Sequence, residues 1–409
     1  MIDQPVLPPI ARMSLALRET SERLGRELAR PTSTAPTWTD FEWRIARAVS
    51  AMHGVSPLLR SRLRWEGPKS WMMFLHEQEH QSQKRHLRIT ELLREIDERG
   101  RRDGIALVAL KGAALHGLGL YAAGQRPMGD IDLLIHKEDE PSTARLLAAC
   151  GYEVAYVSRR HTAFHPSRKT KMPTIMLGEH IDNAIKIEVH TKVAEQLPRV
   201  DLTQHLFPSR ASAGVNGYPS QTALMLHLLL HAAGNMRARA LRLLQLHDIA
   251  LLAAGFGPGN WEELATTRHD GRTAWWALAP LLLTERYYPN TVPSTVLASV
   301  GADCPRLLAT IARRQLLADV SWSNIRIEAF PGIEWSRTVT EALSLVRARI
   351  WPTSAALLEL KAGAAQIPDE SAIPWYGLSH RARILRWIFS RPPRVQTLLS
   401  VRAALTQDI

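Results

Sequence analysis

Hydrophobic patterning divides the chain into three regimes. From residue 41 to 102 apolar residues recur at helical spacing in a strongly charged background, and the run closes on Glu98-Arg99-Gly100, a helix-stop signal. Ahead of it, Ala11–Leu28 carries a helical pattern and then meets Pro31-Thr32-Ser33-Thr34-Ala35-Pro36, a linker-like stretch. Residues 1–40 therefore read as an N-terminal extension, loosely ordered at its far end.

Between 104 and 219 the period changes. Gly104–Leu110 is a short apolar strand, and Lys111-Gly112 opens an alanine- and leucine-rich helix through Leu120. Gly129–Ile135 is a second strand. Pro141–Ala149 is a helix with proline in its first turn and Gly151 after its end. Tyr152–Val157 is a strand, and Thr162–His165 and Thr174–Leu177 read as further strands of a meander. Ile185–His190 alternates, with Ile185, Ile187 and Val189 on one side and Lys186, Glu188 and His190 on the other. From Ser220 the pattern is helical again, in Gln221–Ala233, Arg237–Ala254, Trp261–Thr267, Thr273–Tyr287 and Cys304–Leu317. Residues 331–409 add another helical pair. The pattern predicts an α+β chain: N-terminal helices over 41–103, an α/β core over 104–219, a helical domain over 220–330 and a helical, basic tail over 331–409.

The chemistry concentrates in the core. On a strand, residues two apart share a face, so Asp130 and Asp132 project together while Ile131, Leu133 and Ile135 face a core. Adjacent carboxylates repel unless a cation lies between them. Mg²⁺ takes hard oxygen ligands and bridges to substrate phosphates, which points to phosphoryl or nucleotidyl transfer. The bland alternative is a solvated edge strand whose acids pair with Arg126. Glu188 completes a three-carboxylate cluster if its strand lies beside Asp130–Ile135, expected in an antiparallel sheet. It would then serve as metal ligand, as general base or as both. Asp182 competes for that role, but its neighbours read as loop. Lys111 and Gly112 stand where a strand turns into a helix, a place that suits a phosphate. Arg126 would serve the phosphates or buttress Asp130.

Composition narrows the setting. Among 409 residues, 51 Lys and Arg face 39 Asp and Glu, a net charge of +12. The excess favours polyanionic partners such as nucleotides, nucleic acid or an anionic membrane surface, and it equally fits an arginine-rich proteome. Two distant cysteines, Cys150 and Cys304, lack metal-type spacing and fit a reducing, cytoplasmic compartment. No signal peptide is expected from the first residues, and no apolar run is long enough for a spanning helix.

These motifs together carry a resemblance. Leu110-Lys-Gly-Ala-Ala-Leu115, Leu120-Tyr121, Arg126, Gly129-Asp-Ile-Asp-Leu-Leu-Ile135, the Leu-Leu…Gly-Tyr of 146–152 and Ile187-Glu-Val-His190 resemble the uncharacterised nucleotidyltransferase family of the DNA polymerase β-like superfamily. Leu246-His-Asp-Ile-Ala250 and Trp261-Glu-Glu-Leu264 extend the likeness, which spans roughly residues 85–300. The resemblance implies a small mixed sheet, metal-binding acids at Asp130 and Asp132, and a third acid at Glu188. It implies transfer of a nucleoside monophosphate from an NTP to a hydroxyl, with Mg²⁺ or Mn²⁺ and release of pyrophosphate. The NTP is expected on Lys111, Gly112, Arg126 and His190. The superfamily usually places Gly-Ser or Gly-Gly nearer the acids, so the Lys111-Gly112 turn departs from it.

The acceptor stays open: a small molecule, sugar or biosynthetic peptide on one reading, RNA or protein on a toxin-like reading. A non-catalytic nucleotide-binding or scaffold protein is the third, and the complete acid triad argues against it. His227 and His231 share a helix face, with Asp248 on the next helix; zinc binding there is less favoured than a role in packing or lining a cleft. The run Trp375–Arg394 interleaves arginines with Trp375, Tyr376, Trp387 and Phe389, which suits RNA or an anionic membrane, or an amphipathic helix docked on the body with its arginines in water.

Overall fold

In the computed structural model the described residues are 7–158, 160–168, 177–196, 198–354, 357 and 378–407. The chain is a helical body around one mixed sheet. Helices α1 (Ile10–Ala29), α2 (Asp40–Met52), α3 (Ser56–Arg62) and α4 (Lys69–Asp103) precede the sheet. Then come strand β1 (Ala106–Ala109), helix α5 (Lys111–Gly117), strand β2 (Asp130–Ile135), helix α6 (Glu140–Ala149), and strands β3 (Tyr152–Val157), β4 (Thr162–Pro166) and β5 (Lys186–His190). A small hairpin of β6 (Ala194–Gln196) and β7 (Arg199–Asp201), helix α7 (Thr203–Leu206) and strand β8 (Gly214–Asn216) complete the unit. Helices α8 (Gln221–Arg237) and α9 (Leu243–Ala253) follow and lead into the C-terminal helices.

The six-stranded sheet runs β3-β4-β5-β2-β1-β8. The pairs β3/β4, β4/β5 and β2/β1 are antiparallel, whereas β2/β5 and β1/β8 are parallel. The strand carrying Glu188 thus does lie beside the strand carrying the two aspartates, but parallel to it. This corrects the expected antiparallel pairing. Helix α6 returns the chain before β3, and the β3–β4–β5 meander reverses it twice more, so β5 re-enters in the direction of β2. The expected strand at 174–177 falls, except for Leu177, outside the described residues.

Alternation fixes which face carries what. Ile131, Leu133, Ile135, Ile187 and Val189 pack with Leu107 on one face, under Ile89 and Ile96 of α4 and Leu146 and Leu147 of α6. Burying each of these aliphatic side chains stabilises the fold by roughly 2 kcal/mol. On the other face Val108 and Leu134 join a larger core with α1, α2, α8 and α9. Helix α8 is apolar nearly all round and is buried accordingly. The polar positions of β2 and β5 open on this second face, where α8 and α9 stand off from the sheet. No helix among the described residues is long and apolar enough to cross a membrane.

His53, fully buried at the end of α2, ties the layers together. Its Nδ1 accepts the Leu243 backbone N–H at 2.9 Å, so the neutral ring carries its proton on Nε2, 3.0 Å from Ser323 Oγ. Burial first and Arg242 second lower its pKa from 6.5 to about 3. Below pH 6.5 the unfolded chain takes up a proton that the folded protein refuses, so stability falls with pH until about pH 3. At pH 5 this one residue is expected to cost about 2 kcal/mol relative to neutral pH. Denaturant titrations at pH 7.5 and 5 should show His53→Gln losing less stability on acidification than the wild type; equal losses would contradict the assignment.

Candidate active site

Asp130 and Asp132 point the same way from β2, and the parallel register sets Asp132 directly beside Glu188 of β5. Asp130 opens to solvent at the strand's start, whereas Asp132 is buried. Two side chains meet Asp132. Lys111 Nζ donates to its Oδ1 at 2.8 Å, and His190 Nε2 lies 3.0 Å from the same oxygen. Burial alone would raise the Asp132 pKa, but Lys111 and His190 outweigh it and hold the carboxyl well below the usual range. Asp130 has no such partner; desolvation by the surrounding cleft first and the Asp132 charge second raise it, although its side chain still reaches solvent. Glu188 is raised to about 7, by burial first and then by Asp132 and Asp130. The cluster is thus polarised: one firmly ionised acid, and two that resist further negative charge.

Lys111 adopts a left-handed φ of 48°, a strained conformation for a side-chain-bearing residue. Its backbone N–H donates to Tyr218 Oη at 3.2 Å, and that hydroxyl lies 2.7 Å from His227 Nδ1. The strain turns the ammonium toward Asp132. Burial would lower the Lys111 pKa, yet Asp132, Asp130 and Glu188 together raise it. Gly112 follows because space demands it: a Cβ there would overlap the Arg126 guanidinium and lie 2.9 Å from Met128 Sδ.

Arg126 does not buttress Asp130 directly. Its Nε and Nη2 make a two-pronged contact with Asp248 of α9, both at 2.8 Å, and Tyr121 Oη donates to the same carboxylate at 2.6 Å. The pair is buried and fixes the 121–129 segment that delivers Asp130. His231 lines the cleft 3.2 Å from the Asn235 amide, and His227 is engaged by Tyr218. Among the described residues His227, His231 and Asp248 do not converge as metal ligands. Asp182 lies on an exposed loop, its carboxylate 3.6 Å from His180 Nδ1.

Asp130, Asp132, Lys111, Gly112 and Arg126 border a cavity of about 270 Å³ between sheet and helices, closed by Leu228, His231, Asn235, Arg242 and Trp322. It continues past Pro127 and Gly129 into a second space of about 390 Å³, walled by Glu179, Arg242, Gln396, Ser400 and Ala403. Arg242 faces both spaces and is exposed, and among the described residues its guanidinium has no ion pair. Sequence reasoning missed it, since an arginine just ahead of a buried helix looks like an ordinary solvated residue. It also missed His161, at the turn before β4, whose Nδ1 lies 3.5 Å from Glu188 Oε2. Of the C-terminal run, Trp375 and Tyr376 lie outside the described residues. Within the described helix His380–Ser390, Ile384 is buried and Phe389 exposed.

The profile of a family described as "Uncharacterised nucleotidyltransferase" matches residues 39–289, and the chain belongs to that family. The match reaches further into the N-terminal helices than the motifs do and includes every sheet strand and α9. Trp322, Gln396, Ser400 and Ala403 of the cleft wall lie beyond it. No curated protein and no solved structure matches the chain.

Proposed function

We propose that this protein is a metal-dependent nucleotidyltransferase that moves a nucleoside monophosphate from an NTP to a hydroxyl acceptor and releases pyrophosphate. The observation that carries the reading is the in-register placement of Asp132 beside Glu188, with Asp130 on the same face and the two aspartates lining a cleft bordered by Lys111 and Arg242. Three carboxylates on neighbouring strands form a hard-oxygen donor set, and two of them are destabilised by mutual charge, which a divalent cation relieves. Asp130 and Asp132 fit Mg²⁺ or Mn²⁺, with Glu188 as the third acid. A bound ion would neutralise the charge that develops on the transferring phosphoryl group.

The protein's own part is placement and charge. Lys111 and Arg242 attract the triphosphate, and Gly112, Arg126 and His190 shape its seat. Glu188, beside Asp132 across the β2/β5 pair, is placed to take the acceptor proton. The acceptor oxygen then bonds to the α-phosphorus, the bond from that phosphorus to the β-phosphate oxygen breaks, and pyrophosphate leaves. The acceptor enters along the space walled by Gln396, Ser400 and Trp322, residues outside the family match, so its identity is set by this chain's own C-terminal part. Incubation with each NTP and Mg²⁺, together with extracted small molecules, RNA or protein, tests the reading. Pyrophosphate should appear, and the fraction that takes up α-phosphate label identifies the acceptor class. No metal-dependent pyrophosphate release with any NTP would overturn the proposal.

A further inference from the structure

The acids of the cleft do not share one kind of neighbourhood. Asp130 has no imidazole at hydrogen-bonding distance among the described residues, whereas Glu188 stands between two, one of which, His190, also reaches Asp132. His161 Nδ1 lies 3.5 Å and His190 Nε2 3.8 Å from Glu188 Oε2, and the three ligand atoms fall within 4.8 Å of one another. A tetrahedral ion with nitrogen and oxygen bonds near 2.1 Å separates its ligand atoms by about 3.4 Å. Small side-chain rotations close that difference.

The histidines are also prepared. His161 sits in the tight turn joining β3 to β4, where its backbone N–H donates to Ser158 Oγ at 3.0 Å and its carbonyl accepts from the same hydroxyl at 2.9 Å. Its far nitrogen, Nε2, lies 3.3 Å from Tyr156 Oη, leaving Nδ1 to face Glu188. An outer partner that fixes the ring in this way is characteristic of imidazoles that bind metals. His190 is held by the strand itself, paired opposite Leu134 in the β2/β5 ladder. Lys111 Nζ, 2.8 Å from Asp132 Oδ1, supplies positive charge to the acids, and His190 Nε2 lies 3.0 Å from the same oxygen.

We infer that His161, Glu188 and His190 form a second cation site, selective for a borderline transition-metal ion of the zinc or cobalt class over Mg²⁺. Two imidazoles and one carboxylate suit such ions, whereas Mg²⁺ keeps oxygen ligands and water. The cleft would then hold unlike ions, a magnesium-type site on Asp130 and Asp132 and a nitrogen-containing site on Glu188. Binding stands on this ligand set alone; only the ion's nearness to the reacting groups rests on the nucleotidyltransferase reading.

The test uses the full chain stripped of metal and titrated with Co²⁺, followed by visible absorption, with Zn²⁺ as competitor. We expect one equivalent of Co²⁺ to give d–d bands that Zn²⁺ abolishes and millimolar Mg²⁺ does not. His161→Ala should weaken Co²⁺ binding at least 10-fold, and His161→Gln should do the same if the alanine variant unfolds; Asp130→Asn should leave binding within about 3-fold. Circular dichroism confirms that each variant is folded. Absence of bands, or equal affinity in folded His161 variants, overturns the inference even where Mg²⁺-dependent pyrophosphate release is intact. Histidine-dependent Co²⁺ binding without pyrophosphate release from any NTP supports the site and overturns the enzymatic reading instead.

Discussion

Asp130→Asn is expected to lower nucleotidyl transfer by about 10³-fold or more, while the protein stays as stable as the wild type or becomes more stable. Both parts follow from the electrostatics of β2. Desolvation by the cleft and then the Asp132 charge raise Asp130, whose side chain still reaches solvent, so at neutral pH its ionised form carries a modest cost in the folded state. Unlike Asp132, it has no lysine or histidine at hydrogen-bonding distance among the described residues. Replacing it with the isosteric amide removes repulsion and breaks no ion pair. It also deletes one of the two carboxylates proposed to hold the ion and, through it, the triphosphate. Paired measurements of pyrophosphate release and of denaturant midpoint check this. An active variant, or a folded state clearly weakened by the change, would contradict it. The corresponding change at Asp132 would be less informative, because it strands Lys111 and His190 and mixes folding with chemistry.

Asp248→Ala is the second large effect, and it acts on stability. Arg126 is buried against Asp248 through two hydrogen bonds, and Tyr121 adds a third to the same carboxylate. Removing the acid leaves a guanidinium in a poorly hydrated setting with its compensating charge gone. The expected loss is about 3–5 kcal/mol in a denaturant titration. Arg126→Met combined with Asp248→Leu should recover much of that loss, because it removes both charges together. A loss under about 1 kcal/mol for Asp248→Ala would show that the pair does not brace the 121–129 segment. Within the cleft, the double variant should be folded but impaired, since Arg126 and Asp248 both border the space occupied by the nucleotide in the proposed reading.

The local grammar of the site was readable from the chain. Period-two alternation places Asp130 and Asp132 on one face and Glu188 with His190 on another strand, and the motif combination points to the family without any contact. Strand direction was readable in part. Counting reversals through helix 141–149 and strands 152–157, 162–165 and 185–190 gives a parallel β2/β5 pair; counting 174–177 as one more strand flips the answer. Long-range partners were not readable. Arg126 and Asp248 lie 122 positions apart, and nothing in either neighbourhood marks them as a pair. His161 precedes its strand as an unremarkable turn residue, and only the β4/β5 register, Ala163 opposite Glu188, brings it to the acids. Arg242 reaches the cleft only because α9, which it precedes, is packed on α8 across from the sheet. The lysine-glycine turn, which departs from the superfamily's usual form, acquires a physical reason: Lys111 is held at positive φ to reach Asp132, and glycine is required next to it so that Arg126 can pass.

The central claim is that the α-phosphorus of an NTP is the reacting atom. Parallel incubations with α-³²P- and γ-³²P-labelled NTP, Mg²⁺ and the acceptor-containing fraction test it most directly. The account predicts α-label in a covalent product and γ-label in pyrophosphate, with both lost in Asp130→Asn. Transfer of the γ-label to product, or α-label left wholly in unreacted NTP across all fractions and nucleotides, would contradict it.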